Sequence, residues 1–317
     1  MFLNKVRNRE SGILLYGISP PKATSTPEKV QEIATKGLNI LRTLEIDGLV
    51  VYDLQDEAER TNEERPFPFV SCIDPHVYAS EYLNELVIPK IIYRPAGKFT
   101  KEELTRWLED IHIQKLYPVF VGLPSPDSVP KTSLKDAYKI WRDNHEDHSV
   151  IGAVTIPERH AILKDEDVRM LDKMNSGVSY FISQCIFNVD YTRKVLEDLV
   201  TACKRENRNV PTVIFTLTLC GSAKTLLFLE WLGIHIPDNL KEQLRSSPDC
   251  LALSVQIATQ IAHELSAYCV KMDIPFGFNI ESVSARKEEV DASLNLLNTV
   301  RSILNTSPSS KVFGKVG

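Results

Sequence analysis

A chain of 317 residues with 43% hydrophobic and 25% charged positions has enough apolar material for a large core, so neither disulfides nor a structural metal is needed for stability. Its formal net charge of -5 is spread along the chain and lacks the basic patch that a nucleic-acid backbone requires. No window approaches 18 uninterrupted apolar residues, and "MFLNKVRNRE" is not a signal peptide, so a cytoplasmic protein without a membrane span is expected. The six cysteines form no C-x-x-C pair and mostly sit in apolar runs, which suits a reducing compartment and suggests no metal site.

Eight times a short apolar run precedes a longer amphipathic stretch. The first run, Ile13 to Tyr16, breaks at Gly17 and "SPPK". A helix from about Pro27 to Leu44 follows, with Thr26 as its cap. The second run starts at Gly48, and its helix at Asp74-Pro75. The third is "IPKIIYRP"; Thr100 and Glu103 then form a capping box before "KEELTRWLEDIHI". The fourth and fifth, "YPVFVGLP" and "SVIGAVTIP", precede helices over "SLKDAYKIWRDN" and "DEDVRMLDKMN". The sixth, "SYFISQCIF", leads to a helix opened by Asp190. The seventh, "PTVIFTLTL", is followed by "SAKTLLFLEWLG", a short helix near Asn239 and a long one from Cys250 to Met272. The eighth is "PFGFNIE", and the last helix covers about Arg286 to Leu304.

Strands alternating with helices imply parallel pairing through right-handed crossovers. Eight such units, with no G-x-G-x-x-G fingerprint, predict an α/β fold of the (β/α)8 TIM-barrel class in one domain. The barrel is expected over 13–304, with an N-terminal segment 1–12 and a flexible tail 305–317. Active sites of such barrels sit at the C-terminal strand ends. Those ends carry Gly17, Ser19, Tyr52, Asp53, Gln55, Arg94, Glu158, His160, Gln184, Asn188, Thr218, Asn279, Glu281 and Ser282. The set is polar but has no paired carboxylates at fixed spacing and no Ser-His-Asp order. "HEDH", His145 to His148, reads as a solvated loop rather than a metal site. His112, His235 and His263 are placed on outer helices, and Trp107, Trp141 and Trp231 on apolar helix faces that pack on the sheet. The charged run "DLQDEAERT" lies in the loop above the second strand, where a site role stays open.

At "SPPK", "DEAERT", "IPERH" and "ISQCIFNVD" the chain resembles the methylenetetrahydrofolate reductase family. Its members are flavin-dependent barrels carrying P-P-K, R-x-R-T, Y-P-E-x-H and T-Q-x-x-F-D in the same order. The resemblance runs from about Leu14 to Leu304. It implies an oxidoreductase of one-carbon metabolism, with FAD passing hydride from NAD(P)H to a folate-like substrate. Gln184 matches a glutamine that hydrogen-bonds the pterin-like ring, a task suited to an amide with both donor and acceptor. By the same resemblance Lys173 approaches the flavin phosphates, His160 its adenosine side, and Arg60 and Thr61 end the second-strand motif.

The departures are as specific. The family's catalytic glutamate falls on Gly17, which cannot donate a proton, so the catalytic residue is left unassigned. Glu281, on the strand that neighbours the first when the barrel closes, is the candidate substitute. The flavin motif R-G-D falls on Val121, Gly122 and Leu123. The tyrosine before P-E-x-H is Ile156, a histidine near the third strand is Lys90, and a tyrosine after the eighth strand falls near Asn279. The alternative expectation is therefore a divergent barrel without flavin. It would act as another folate- or pterin-type enzyme or as a non-catalytic binding or partner subunit. The expected partner is a small molecule such as a reduced folate, with a homo-oligomer left open.

Overall fold

A computed structural model describes residues 2–56, 63–123, 129–144 and 149–306. Eight parallel strands close into a barrel in sequence order. They are β1 Ile13–Ile18, β2 Gly48–Val51, β3 Lys90–Pro95, β4 Leu116–Val121, β5 Gly152–Thr155, β6 Tyr180–Cys185, β7 Thr212–Thr218 and β8 Phe276–Glu281. The barrel closes through β1 and β8, which sets Gly17 beside Glu281.

Alternation along each strand divides the core in two. Inward positions such as Ile13, Leu15, Val50, Ile91, Tyr93, Val119, Ile182 and Ile214 fill the barrel. Outward positions such as Leu14, Leu49, Ile92, Phe181, Phe215 and Phe278 join the helices in the outer layer. The interior is packed to contact. A Cβ on Gly152 would lie 2.5 Å from the ring of Tyr180, so a glycine on β5 makes the room that a tyrosine on β6 fills.

Beyond the expected pattern, a first helix α1 (Phe2–Arg7) lies within the segment before β1. Phe2 and Val6 are buried in the inner core, and the Phe2 ring meets Tyr180 edge-on at 5.2 Å. Lys5 fixes the helix by donating to Gly12 O at 2.9 Å and pairing with Asp47 at 2.8 Å. The segment therefore closes the N-terminal end of the barrel.

The crossover helices include α2 (Pro27–Leu41), capped by Thr26 as expected. After β2 comes a single turn, α3 (Pro75–Val77), running into a π-helical turn rather than the longer helix expected. Helix α4 (Lys101–Ile113) has its capping box in place, and α5 (Leu134–Asn144) follows. Past β5, a helix that the periodicity does not reveal, α6 (Pro157–Leu163), precedes α7 (Glu166–Asn175). Helix α8 (Val189–Arg205) is capped by Asn188, not opened by Asp190.

Between β7 and β8 stand α9 (Ala223–Trp231), α10 (Asp238–Ser246) and α11 (Cys250–Met272); α12 (Lys287–Thr306) follows β8. Leu226, Leu229 and Leu244 of α9 and α10 pack on Cys185, Phe187 and Cys220 at the ends of β6 and β7. These two helices thus cover the C-terminal mouth. The segment after β2 reaches the same helix: Trp231 Nε1 donates to Glu63 O at 3.1 Å, Phe67 meets Phe228 at 5.3 Å, and the Arg65 guanidinium lies 4.8 Å from the Trp231 ring. In the ring of strands β8 and β1 lie between β7 and β2, so this contact arches over their ends. Trp107 and Trp141 are buried in the outer layer as expected, whereas Trp231 belongs to the arch.

Candidate functional site

Under the arch, side chains from four strands or their ends form one polar network. Asn279 on β8, fully buried, donates from Nδ2 to Tyr52 Oη at 2.7 Å and to Thr216 Oγ1 at 3.3 Å. One layer higher, Cys185 Sγ donates to Glu281 Oε1 at 3.0 Å, and the Tyr52 hydroxyl also faces this carboxyl. Gly17 makes the arrangement possible, because a Cβ there would lie 2.8 Å from the Tyr52 ring. The position to which the resemblance assigns a glutamate is thus covered by a tyrosine from the end of the next strand. Loss of water raises the Glu281 carboxyl above its ordinary range, against hydrogen bonds from Tyr52 and Cys185 that lower it. Burial, reinforced by Glu281, pushes both Tyr52 and the Cys185 thiol well up.

Cys185 enters this network through an irregularity. The β6–β7 register shifts between Ile182 and Cys185, which reverses the side-chain alternation. Ser183 closes the gap: Thr216 N donates to Ser183 Oγ at 2.9 Å, and that hydroxyl donates to Gln184 O at 2.7 Å. Gln184 is carried toward α9, where its Nε2 donates to Leu232 O at 3.2 Å. Among the described residues its Oε1 is buried without a partner, as are Glu158 Oε2, Thr218 Oγ1 and Asn279 Oδ1. Glu158 is raised to about 7, first by burial and then by the Glu166 carboxylate, and its charge is felt by Cys185.

Other candidates are engaged elsewhere. His160, 2% exposed, joins three helices: its Nε2 lies 2.9 Å from Asp198 Oδ2, and its Nδ1 accepts from Glu166 N at 3.3 Å. Lys173 donates to Val154 O at 2.7 Å, just beyond the last β4–β5 pair. Its ammonium is lowered to about 8 by burial. Arg94 is stacked on Phe99 at 4.0 Å and Trp107 at 4.7 Å, and pairs with Asp74 at 2.5 Å. Burial raises Asp74, but Arg94 and the amides of the turn it caps outweigh that and hold it low. Asp53 accepts from Gln55 at 2.6 Å and is raised by burial. Leu123 fills the space over Gly97, where a Cβ would come within 2.6 Å.

His235 is not on a helix but in the connection from α9 to α10. Its Nδ1 lies 3.2 Å from Asn188 Nδ2, and its ring lies 4.9 Å from that of Tyr191. Helix α9 is too short to reach it, since Gly233 at positive φ turns the chain first. Arg60, Thr61 and "HEDH" lie outside the described residues. Among the described residues no group of three or more His, Cys, Asp or Glu is placed to hold a metal ion, and no helix is long and apolar enough to cross a membrane. The sequence pointed to Tyr52, Gln184, Asn279 and Glu281. It gave no sign of Cys185 or Thr216, whose roles depend on the register shift and on a cross-strand contact.

A solved structure covers nearly all of this chain. An uncharacterized protein from Clostridium thermocellum that binds two copies of 5-methyl-5,6,7,8-tetrahydrofolic acid is 42% identical over 96% of this chain and 100% of its own, with a TM-score of 0.84. Two barrels share the fold alone. A GH113 β-1,4-mannanase is 11% identical over 94% of this chain and 99% of its own, and a Clostridium thermocellum endo-1,4-β-D-xylanase is 10% identical over 97% and 68%; each has a TM-score of 0.51. No protein-family model and no curated protein matches the chain.

Proposed function

Because this chain belongs to the family of the Clostridium thermocellum protein that binds 5-methyl-5,6,7,8-tetrahydrofolic acid, we propose that its barrel mouth binds a reduced folate through the tetrahydropterin ring. The Gln184 amide carries the reading. Its NH2 faces a backbone carbonyl, which fixes its orientation and leaves Oε1 as a buried acceptor with no donor among the described residues. Such an atom costs about 1–3 kcal/mol until it is met. A tetrahydropterin brings the missing donors in its 2-amino group, N3–H and N8–H. Glu281 adds a carboxyl group bonded to the Cys185 thiol and Glu158 one whose charge reaches it, and Asn279 adds a second buried acceptor. In this reading Glu281 gives a proton to a ring nitrogen. Burial keeps it neutral to a higher pH, and Cys185 and Tyr52 stabilise the carboxylate that remains.

Flavin and the nicotinamide donor that would reduce it are left out of this reading. The side chains that the resemblance assigns to flavin do not fit it as placed. The His160 ring nitrogens face Asp198 and the Glu166 amide, Lys173 holds Val154 O, and Leu123 packs on Gly97.

Isothermal titration and thermal shift with 5-methyltetrahydrofolate, folic acid and FAD test the reading. Reduced folate at 100-fold its Kd should stabilise the native state by about 2.7 kcal/mol. Gln184→Ala should abolish that gain while leaving unliganded stability nearly unchanged, because loss of the Leu232 tether is offset by removal of the unmet Oε1. Absence of any folate-induced shift, or a shift only with FAD, would overturn it.

A further inference from the structure

The helices that cover the mouth leave the barrel at one cysteine and return at another. Cys220 lies two residues beyond β7 on the way to α9, and Cys250 is the first residue of α11. The two necks touch: Cys250 Sγ donates to Cys220 O at 3.1 Å. Ser254 Oγ, one turn further along α11, accepts from Cys220 N at 2.8 Å. Both thiols are free and share one apolar cluster with Leu226, Leu229 and Leu244 of the covering helices.

We infer that Cys220 and Cys250 are a reversible disulfide site that takes a small-molecule disulfide, such as oxidised glutathione, as its oxidant. Cys250 is partly exposed and Cys220 fully buried, so Cys250 is the thiol that the reagent reaches. Deprotonated Cys250 attacks one sulfur of the reagent, forming a mixed disulfide and releasing one reduced thiol. Cys220 then attacks the Cys250 sulfur and releases the second. Two protein thiols and one disulfide become one protein disulfide and two reduced thiols, with both protons accounted for on the departing sulfurs. Burial raises both thiols, and Glu289 raises each further, so the exchange should quicken as pH rises. The bond would tie together the two necks of a cover whose far end, Leu232, holds Gln184. Oxidation would thereby reach the mouth.

The test uses the full-length protein incubated with oxidised glutathione, then unfolded in guanidinium chloride containing excess alkylating agent, without reduction, and digested. Two of the six thiols should become unreactive. A peptide pair joining Cys220 to Cys250 should be found by fragmentation, two hydrogens lighter than the separate peptides and separated again by dithiothreitol. The melting temperature should rise on oxidation and return on reduction. Cys250→Ser should show neither the cross-link nor the shift; Cys250→Ala serves if that variant does not fold. Complete alkylation of Cys220 and Cys250 after oxidation, a stable mixed disulfide on Cys250, or a bond that pairs either cysteine elsewhere would overturn the inference. None of these readings depends on folate binding.

Discussion

At the scale of single residues, Gly17 and Tyr52 act as a pair. The ring of Tyr52 occupies the place where a side chain on Gly17 would go, and Asn279 pins its hydroxyl at 2.7 Å. The ring therefore cannot swing aside without breaking a buried hydrogen bond. Gly17→Ala should cost about 1–3 kcal/mol, the usual penalty for overfilling a packed core. In a Tyr52→Leu background the same change should cost much less, a coupling that a denaturant double-mutant cycle measures. Equal costs in both backgrounds would show that the ring does not set the requirement for glycine.

Glu158 gives a pH-dependent counterpart. Its carboxyl titrates at about 7 in the fold against an ordinary 4.5. The native state thus holds a proton that the unfolded chain releases earlier. Its contribution is most favourable below about 4.5 and is lost as pH rises through 7, by up to about 3 kcal/mol. Glu158→Gln should be near-neutral at pH 5 and stabilising at pH 8, as read by melting curves across that range. A constant difference between the two proteins would rule out the raised carboxyl as its cause.

At the scale of elements, the strand β6 shows what alternation conveys and where it stops. Tyr180 and Ile182 face inward and Phe181 outward, as the pattern predicts. Nothing in "FISQCIF" shows that the next pair shifts register, because a bulge is decided by the partner strand. Ser183 looks like an ordinary polar strand residue until its hydroxyl is seen bonded to Thr216 N. Removing it should collapse the irregularity: Ser183→Val should cost about 1–3 kcal/mol for the unmet amide and should weaken folate binding by displacing Gln184. Unchanged affinity in titration calorimetry would separate the bulge from the site.

The helices α1 and α6 were hidden for a related reason. Six or seven residues are too few to display a period of 3.6, and "PERH" follows a strand with only Ile156 between. Eight strands and the long helices were legible because their burial repeats along the chain, with Thr26 and Thr100 capping helices where their spacing implied. Strand-end residues were legible as a set, since barrel topology alone places them together. Which of them meet was not, because Glu281, Cys185 and Tyr52 come from three strands far apart in sequence.

The molecule as a whole is built with opposite ends doing different work. At the N-terminal end Phe2 and Val6 close the barrel with apolar contacts and a lysine latch. At the other end, the arch and α9–α10 cover buried polar atoms whose partners are incomplete. Stability and ligand recognition should therefore separate on mutation, as expected for distant sites without shared partners. Phe2→Ala should lower unfolding free energy by about 3 kcal/mol, the range for a buried ring removed from a core, while reduced-folate affinity stays within about twofold, under ~0.4 kcal/mol. Hydrogen exchange gives the complementary reading. Adding 5-methyltetrahydrofolate should slow exchange at the ends of β6 and β8 and in α9, and leave α1 unchanged. If instead Phe2→Ala weakens binding in proportion to its effect on stability, the two ends are one cooperative unit and the division of labour fails.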